Sequence, residues 1–452
     1  MPDLAELRKS LDGDLFSADS SGYEAIRRPV NAAYGAVRPR LVVSCRSVSD
    51  VVGATTYATA TGDRIAIRGG GHCFAGRSST DGIVLDLSGL DGVSVADDRV
   101  ATIGAGACLG QVYAALHAVG RTLPAGCGPT VGITGLTLGG GIGLLGREHG
   151  LTCDRLVGAQ VVLPDGRVVD CDDGHEPDLF WALRGAGGGQ FGVVTSLRFD
   201  TVPEPMTSRI EANWSDVALD DLVSSWQAWA PDAPDELTVN LALVSEPGAP
   251  VQATLMGAST LEETSTRGLL QELVAQAGVD PTTDVHTGVP FHHLKGTLAD
   301  PRDVAERPHR IRSEFFSRSM AHSTLAALLT QLGDPRTEGR RQITFTAMGG
   351  AYNRVAEDAT AFAHRSERFL LEHIAEPDEP WVDASWATAH ADGSGRVYPN
   401  FPDPALDDWA TAYHASNYRR LAAVKDAYDP HRLFDFPQAI RTTTKNNSEG
   451  PT

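Results

Sequence analysis

The chain has 452 residues, 42% hydrophobic and 21% charged, which at about 100–200 residues per domain allows several compact units with cores that need no staples. Lysine and arginine total 38 against 58 aspartates and glutamates; a net charge of −20 argues against a nucleic-acid binder, which needs a basic surface against phosphates. No run approaches the roughly 18 apolar residues of a membrane span, and the opening MPDLAELRKSLDGDLF has no basic segment followed by an apolar one, so a cytoplasmic protein without a signal peptide is expected.

Residues 41–45 predict a strand, and Ser47 then caps a helix through Thr61, with Asp50 in a near-capping-box and Gly62 as the stop. A second strand, 64–68, runs into Gly69-Gly70-Gly71-His72. Strands 83–87 and 99–103 follow, then a helix near 109–119 stopped by Gly120. A glycine-rich stretch spans 126–146. Residues 156–163 and 166–171 flank Pro164-Asp165-Gly166 and predict a hairpin. A short helix near 177–183 leads through Gly185–Gly192 to a strand at 192–199. The texture changes at Val202-Pro203-Glu204-Pro205, where the glycine clusters stop. Beyond it, strand-like runs (237–244, 251–256) alternate with helical ones (261–277, 355–374). Residues 405–430 predict a helix ended by Pro430, and no internal repeat is visible. The domains expected are 1–203, 206–395, a C-terminal segment 396–440 that returns to the first, and a flexible tail 441–452.

All six cysteines, Cys45, Cys73, Cys108, Cys127, Cys153 and Cys171, lie in the first part of the chain at spacings that fit no zinc pattern, and a cytosolic setting keeps them reduced. His292 and His293 are adjacent and would diverge on a helix or a strand, so surface histidines are expected and no metal site. There is no Walker A loop, nucleophile elbow or HExxH motif. Gly104-Ala105-Gly106 lacks both the third glycine and the later acid of a dinucleotide fingerprint. Arg68-Gly69-Gly70-Gly71-His72 after a strand suits a nest of backbone N–H groups around a diphosphate, with the histidine beside whatever the anion tethers; the alternative is a glycine-rich turn with an incidental histidine. The stretch Gly126–Gly143 and the stretch Arg184-Gly185-Ala186-Gly187-Gly188-Gly189-Gln190-Phe191-Gly192 also need something close to their backbone.

These three motifs, with Asn417-Tyr418-Arg419-Arg420-Leu421, Val424-Lys425 and Tyr428-Asp429-Pro430 near the end, resemble the berberine-bridge-enzyme-like oxidases of the vanillyl-alcohol-oxidase flavoprotein superfamily. The resemblance covers 36–203 and 396–440, and Thr360–Arg365 is similar to a stretch of bacterial members. It implies an α+β fold: a two-subdomain p-cresol-methylhydroxylase-type (PCMH-type) FAD-binding domain, plus an α+β substrate-binding domain with an antiparallel sheet. It implies FAD, bonded through its 8α-methyl to His72. Gly69, Gly70, Gly71, Ser78, Val131, Gly132, Thr134, Gly135, Thr137, Gly140, Gly143 and Val194 would line the cofactor, with Asn417 and Tyr418 near the isoalloxazine or its chain. Family members often hold a second bond from a cysteine directly before Pro-Thr-Val-Gly. Here Gly128 takes that place and Cys127 stands one residue earlier, where an extended chain turns the side chain away and a bulge at the flanking glycines restores it. By the same resemblance, Val131 falls where family members carry a residue near the flavin's oxygen-reactive carbon, and valine there implies space for O2, which favours an oxidase.

The resemblance makes Tyr413, four residues before Asn417, the expected base. His414 is its rival on intrinsic basicity, and His364 and Tyr398 are further candidates. The implied reaction takes a hydride from a C–H beside O–H or N–H of a sugar or natural product, with O2 reduced to hydrogen peroxide. Besides the small-molecule substrate and O2, no nucleic-acid, membrane or metal partner is expected. The alternatives are a flavin-dependent cyclase or isomerase of secondary metabolism without net oxidation, and a sequestering protein around an inert flavin.

Overall fold

The computed structural model describes residues 3–215, 218–298 and 308–443, so the expected tail lies outside the described residues from 444 onward. The fold is α+β. Strands β1 (Asp14–Phe16), β2 (Leu41–Ser44), β3 (Ile65–Arg68) and β4 (Ile83–Asp86) form a sheet in the order β1-β2-β4-β3, with β2, β4 and β3 parallel. A second, antiparallel sheet has the order β5-β6-β10-β8-β9, from β5 (Val93–Val95), β6 (Val100–Gly104), β8 (Leu156–Val162), β9 (Val168–Cys171) and β10 (Val193–Asp200). The short strands β7 (Arg121–Thr122) and β11 (Val202–Pro203) pair beside it.

Helix Val48–Thr61 lies between the two sheets. Its Val51, Ala54 and Ala58 are buried with Leu41, Ile83 and Leu85 of one sheet and Val162 and Val193 of the other. The local signals for it hold. The Ser47 hydroxyl accepts from Asp50 N at 3.2 Å, the Asp50 carboxylate accepts from Ser47 N at 3.1 Å, and Gly62 sits at φ +74°. The predicted hairpin is present too, with Val162 opposite Val168.

The second sheet-based layer is seven antiparallel strands in the order β15-β12-β14-β13-β17-β18-β16. They are β12 (Met206–Ser215), β13 (Leu237–Ser245), β14 (Gln252–Ser259), β15 (Thr282–Pro290), β16 (Arg310–Phe316), β17 (Arg341–Ala347) and β18 (Phe369–Ala375). One face carries helices Leu219–Trp229, Glu263–Ala277, His322–Gly333 and Trp381–His390 over a core that includes Trp214, Trp226, Phe345 and Phe369.

Two helical expectations are corrected. Residues 355–374 are not a helix: a single 3-10 turn at Gly350–Asn353 is followed by irregular chain and then β18. β18 fills the slot between β17 and β16, and its ladder to both neighbours outweighs a local helical period. The irregular stretch is pinned by Arg365 on Asp154 at 2.6 Å and by Asn417 Nδ2 on Glu357 O at 2.8 Å. The helix expected over 405–430 is broken into Trp409–His414 and Tyr418–Tyr428, because Ala415 takes φ +50°.

The C-terminal segment packs on the first two sheets: Leu421, Val424 and Ile440 join the core of the five-stranded sheet, and Phe434 joins that of the four-stranded one. Lys425, fully buried, donates to Gln190 O at 2.5 Å, Asp429 Oδ2 at 2.7 Å and Phe434 O at 2.8 Å. No helix among the described residues is long and apolar enough to cross a membrane.

Arg147 ties the two halves together. It leaves the short helix Gly146–His149, is completely buried, and donates to Pro231 O at 2.9 Å, Leu237 O at 3.1 Å, Ala233 O at 2.5 Å and Met348 O. Arg147→Met should strand these buried carbonyls. At about 1–3 kcal/mol for an unsatisfied buried group, a loss of at least ~3 kcal/mol is expected. Thermal denaturation checks the loss, and limited proteolysis should show earlier cutting between the halves.

Candidate active site

The loop after β3 brings two backbones closer than side chains would allow. A Cβ on Gly70 would stand 2.3 Å from Gly132 N, and one on Gly132 would stand 2.4 Å from Gly70 N. Gly71 has φ +73°, a conformation only glycine adopts freely. His72 follows, its Nε2 3.0 Å from Thr130 Oγ1. Burial lowers the His72 pKa; the Thr130 contact opposes this and His309 adds to it. The imidazole is therefore held toward its neutral, nucleophilic form. Arg68 braces the loop, donating to Ile26 O at 2.6 Å, Arg27 O at 2.8 Å and Ser78 O at 3.1 Å.

The residues fit an FAD in one specific respect. The Ser78 and Thr134 hydroxyls are buried with no protein hydrogen-bond partner, a costly state unless a ligand takes the bond. A Cβ on Gly135 would meet nothing within 4 Å, leaving the next position open. Other expected cofactor residues have their side chains committed to the protein. Thr137 bonds Ile133 O at 2.7 Å. Gly140, at φ +119°, is a close fit for the Phe362 ring, and a Cβ on Gly143 would strike Ala125 O at 2.2 Å. The Val194 side chain lies in the core of the five-stranded sheet. Asn417 Nδ2 bonds Glu357 O and Thr360 O, and the Tyr418 hydroxyl accepts from Arg441 N at 3.3 Å. These side chains are engaged within the protein, and Gly140 and Gly143 have only backbone to offer a cofactor.

The four expected bases are all buried, and burial shifts each toward its neutral form. The Tyr413 hydroxyl accepts from Asp403 N at 2.8 Å and reaches Gln438 Oε1 at 3.3 Å; burial pushes its pKa up to about 12. The Tyr398 hydroxyl accepts from Gly141 N at 3.0 Å, Ile142 N at 3.1 Å and Asn400 Nδ2 at 3.0 Å, and burial again pushes it to about 12. It pins the glycine-rich loop. His364, between Phe315 and Phe362 with Arg396 nearby, and His414, against Tyr418, are each held by burial at about 3. Both are neutral throughout the ordinary pH range.

The sequence reading missed a carboxylate on the facing sheet. On the sheet face away from the helices, paired residues form rows across the strands. Phe315, Leu370 and Thr346 make one row. Phe315 and Leu370 belong to the cluster with Phe362, Tyr398 and Ile142, so this row meets the glycine-rich loop. The next row is Ser313, Glu372, Thr344, Ala242 and Thr254. Glu372 thus stands one step beyond the seam, half-buried, with Thr346 Oγ1 3.4 Å from its carboxylate. Burial raises its pKa to about 8, a little offset by Thr346. The Ser313 hydroxyl beside it is buried without a partner. No alternation marks it in Phe369-Leu370-Leu371-Glu372-His373-Ile374, where apolar residues fall on both faces of the strand.

Cys127 enters a β-turn, not an extended strand: Val131 N donates to Gly128 O at 3.2 Å across Pro129 and Thr130. Val131 is half-buried against the core of the five-stranded sheet, and Cys127 packs against Leu144, Leu145, Ala258, Phe291 and Leu294 at the seam. His292 and His293 do not diverge. Both rings approach His117, at 4.9 and 5.6 Å between centroids, and Glu204 bonds His117 Nδ1 at 2.5 Å. No group of three ligands suited to a metal occurs among the described residues.

Residues 39–172 match the FAD binding domain family, and residues 397–441 match the berberine and berberine-like family. An uncharacterized FAD-linked oxidoreductase of Bacillus subtilis is 32% identical over 449 residues, covering 96% of this chain and 98% of the relative. A chitooligosaccharide oxidase of Gibberella zeae is 32% identical, covering 89% and 87%. The solved glucooligosaccharide oxidase of Acremonium strictum, whose FAD is 6-S-cysteinyl and 8α-N1-histidyl, superposes with a TM-score of 0.88 at 25% identity over 97% of this chain and 98% of its own. Berberine bridge enzyme of Eschscholzia californica shares the fold, with a TM-score of 0.85 at 23% identity over 98% of this chain and 99% of its own.

Ser78→Ala and Thr134→Val remove hydroxyls that no protein group uses. Flavin-free material should melt within about 0.5 kcal/mol of the parent. The ratio of flavin to protein absorbance after purification should fall in both variants. An unchanged ratio in both would remove these hydroxyls from the cofactor site.

Proposed function

The chain belongs to the berberine-bridge-enzyme-like family of FAD-linked oxidoreductases, and on that premise we propose that it is an oxidase acting on a C–H beside O–H or N–H of a sugar or natural product. FAD, which His72 would carry covalently, would supply the hydride acceptor, with O2 and two protons as the source of hydrogen peroxide. The observation that carries the reading is Glu372, a carboxylate tuned toward neutrality on an otherwise uncharged row of the sheet face, one row from the glycine-rich loop.

In this reading the His72 imidazole, kept toward neutrality by burial, holds its Nε2 against Thr130, which fixes the ring plane and leaves Nδ1 to form the bond to the cofactor. Glu372 takes the proton from the substrate O–H or N–H on its free carboxylate oxygen, while Thr346 holds the other. Thr344 and Asn240, half-buried on the same face, offer a hydroxyl and an amide to orient polar substituents. Phe315 and Leu370 close the floor against water, which strengthens each polar contact above them. Valine at 131, rather than leucine, supports access for O2.

His72→Ala should fold and release its flavin when denatured in acid and filtered, whereas the parent should retain the colour on the filter. Glu372→Gln should slow anaerobic flavin reduction by the true substrate by about 10²–10⁴-fold, and leave the later reaction with O2 nearly unchanged. The base must be ionised to act, so in the parent the reduction rate should climb with pH through about 8. Tyr413→Phe is the contrasting variant; if it, and not Glu372→Gln, loses flavin reduction, the base assignment moves to Tyr413. Turnover without O2 would favour the redox-neutral cyclase or isomerase.

The same group makes a stability prediction. A carboxyl whose folded pKa is raised favours the protonated form, so its contribution is present below its unfolded pKa and is lost as pH climbs toward 8. Glu372→Gln should therefore raise the melting temperature relative to the parent at pH 9 and change it little at pH 4, as read by paired thermal scans.

A further inference from the structure

Helix Phe291–Leu298 of the substrate-binding half lies on the FAD-binding half and buries Phe291 and Leu294 against Leu144, Leu145 and Ala258. Between them it sends one charge across the seam. Lys295 is 2% exposed; its Nζ donates to Gly126 O at 2.8 Å, and also to Ala125 O and the Tyr113 hydroxyl. The ammonium sits 4.1 Å from the Tyr113 ring centroid and 4.8 Å from that of Phe291. Every one of these acceptors is neutral, and among the described residues no carboxylate pairs with it. A buried ammonium without a counter-charge is costly. Two groups with an ionisable proton lie beside it: the Tyr113 phenol, which accepts from it, and the more acidic Cys127 thiol, which follows directly on the carbonyl that Lys295 holds and packs against Phe291 and Leu294 of the same helix.

We propose that Lys295 is a positioning residue that holds Cys127 as a thiolate. The two charges offset each other in a pocket where neither is stable alone, and the carbonyls of Ala125 and Gly126 fix the ammonium where the backbone delivers the sulfur. Both titratable neighbours feel the sulfur: its charge favours the protonated forms of Lys295 and of Tyr113. Burial itself pulls Lys295 down to about 8, so the pair is most strongly ionised when both charges form together. The thiolate is the nucleophilic form of cysteine, the form that any sulfur–flavin bond would require, and the inference goes beyond the cofactor reading by naming what generates it.

The test is alkylation of the full-length holoprotein by iodoacetamide across pH, with the Cys127 peptide followed by mass spectrometry. In the parent, alkylation should have its midpoint below the ordinary thiol value of about 8.5. In Lys295→Met it should move up by at least about one unit, about tenfold slower labelling at neutral pH. Lys295→Arg should keep the low midpoint. Tyr113→Phe, which removes a hydrogen bond to Gly126 O and one acceptor of Lys295 but no charge, should keep it too. Where the parent peptide carries the flavin mass, the readout is that fraction, which Lys295→Met should lose and Lys295→Arg should keep. If Lys295→Met does not fold, Lys295→Gln, which keeps a donor without the charge, should shift in the same direction. Cys127 behaving alike in the neutral variants and the parent, or Tyr113→Phe shifting as far as they do, overturns the proposal. A parent peptide free of flavin bears on the second cofactor bond, and an unshifted midpoint bears on Lys295.

Discussion

Everything at the candidate site depends on the burial of one guanidinium. Arg147 is wholly removed from water and surrounded by backbone carbonyls of the substrate-binding half, so it is stable only where those carbonyls converge. That requirement fixes how the seven-stranded sheet sits on the glycine-rich loop a few residues earlier in the chain. The loop can then approach closely because it lacks side chains: the Tyr352 hydroxyl lies where a Cβ on Gly146 would be, and it exchanges hydrogen bonds with Gly143 N and O at 3.0 and 2.7 Å. A charge sets the position and the glycines permit the distance.

The seam is unusual in where it puts its charges. Arg147 crosses in one direction and Lys295 in the other, both onto neutral acceptors. Arg365 pairs with Asp154 across the same boundary, with its side chain almost fully buried. Directional cation–carbonyl contacts of this kind cost desolvation and return specificity of placement, because an ammonium or guanidinium displaced by an ångström loses several partners at once. A purely apolar seam would hold the halves together and still let them slide.

The first half of the fold was legible because its signals are local. A serine cap, an aspartate three residues on and a terminal glycine define helix 48–61, and a Pro-Asp-Gly turn defines the hairpin. The run Gly69–His72 after a strand points to a backbone-built site, and its close approach to Gly132 is the physical reason for the glycines. The proposed base, Glu372, was not legible. β18 is flanked on both sides in the sheet, with one face under helices and part of the other against Phe362 and Tyr398, so Leu370 and Ile374 are apolar along with Phe369 and Leu371. The two-residue period disappears when both faces are partly dry, and Glu372 then looks like an interruption in a helix. The surroundings of Tyr413 and His414 were hidden for a different reason. A motif fixes sequence neighbours, whereas Asp403, Gln438 and Tyr418, which decide what those side chains do, come from elsewhere in the chain.

Lys425 carries a consequence for the order in which the protein is made. Its ammonium holds the carbonyl of Gln190, at the end of the third glycine motif, while the Gln190 side chain accepts from Ile440 N at 3.0 Å. On the ribosome, the FAD-binding half emerges first and must wait for more than half of the chain before these two clasps exist. A nascent chain stopped at residue 395 has His72, both sheets and all three glycine motifs, yet lacks the Lys425 and Ile440 that hold Gln190. Closure of the cofactor cradle is in this sense a property of the longer polypeptide, tied off by helix Tyr418–Tyr428.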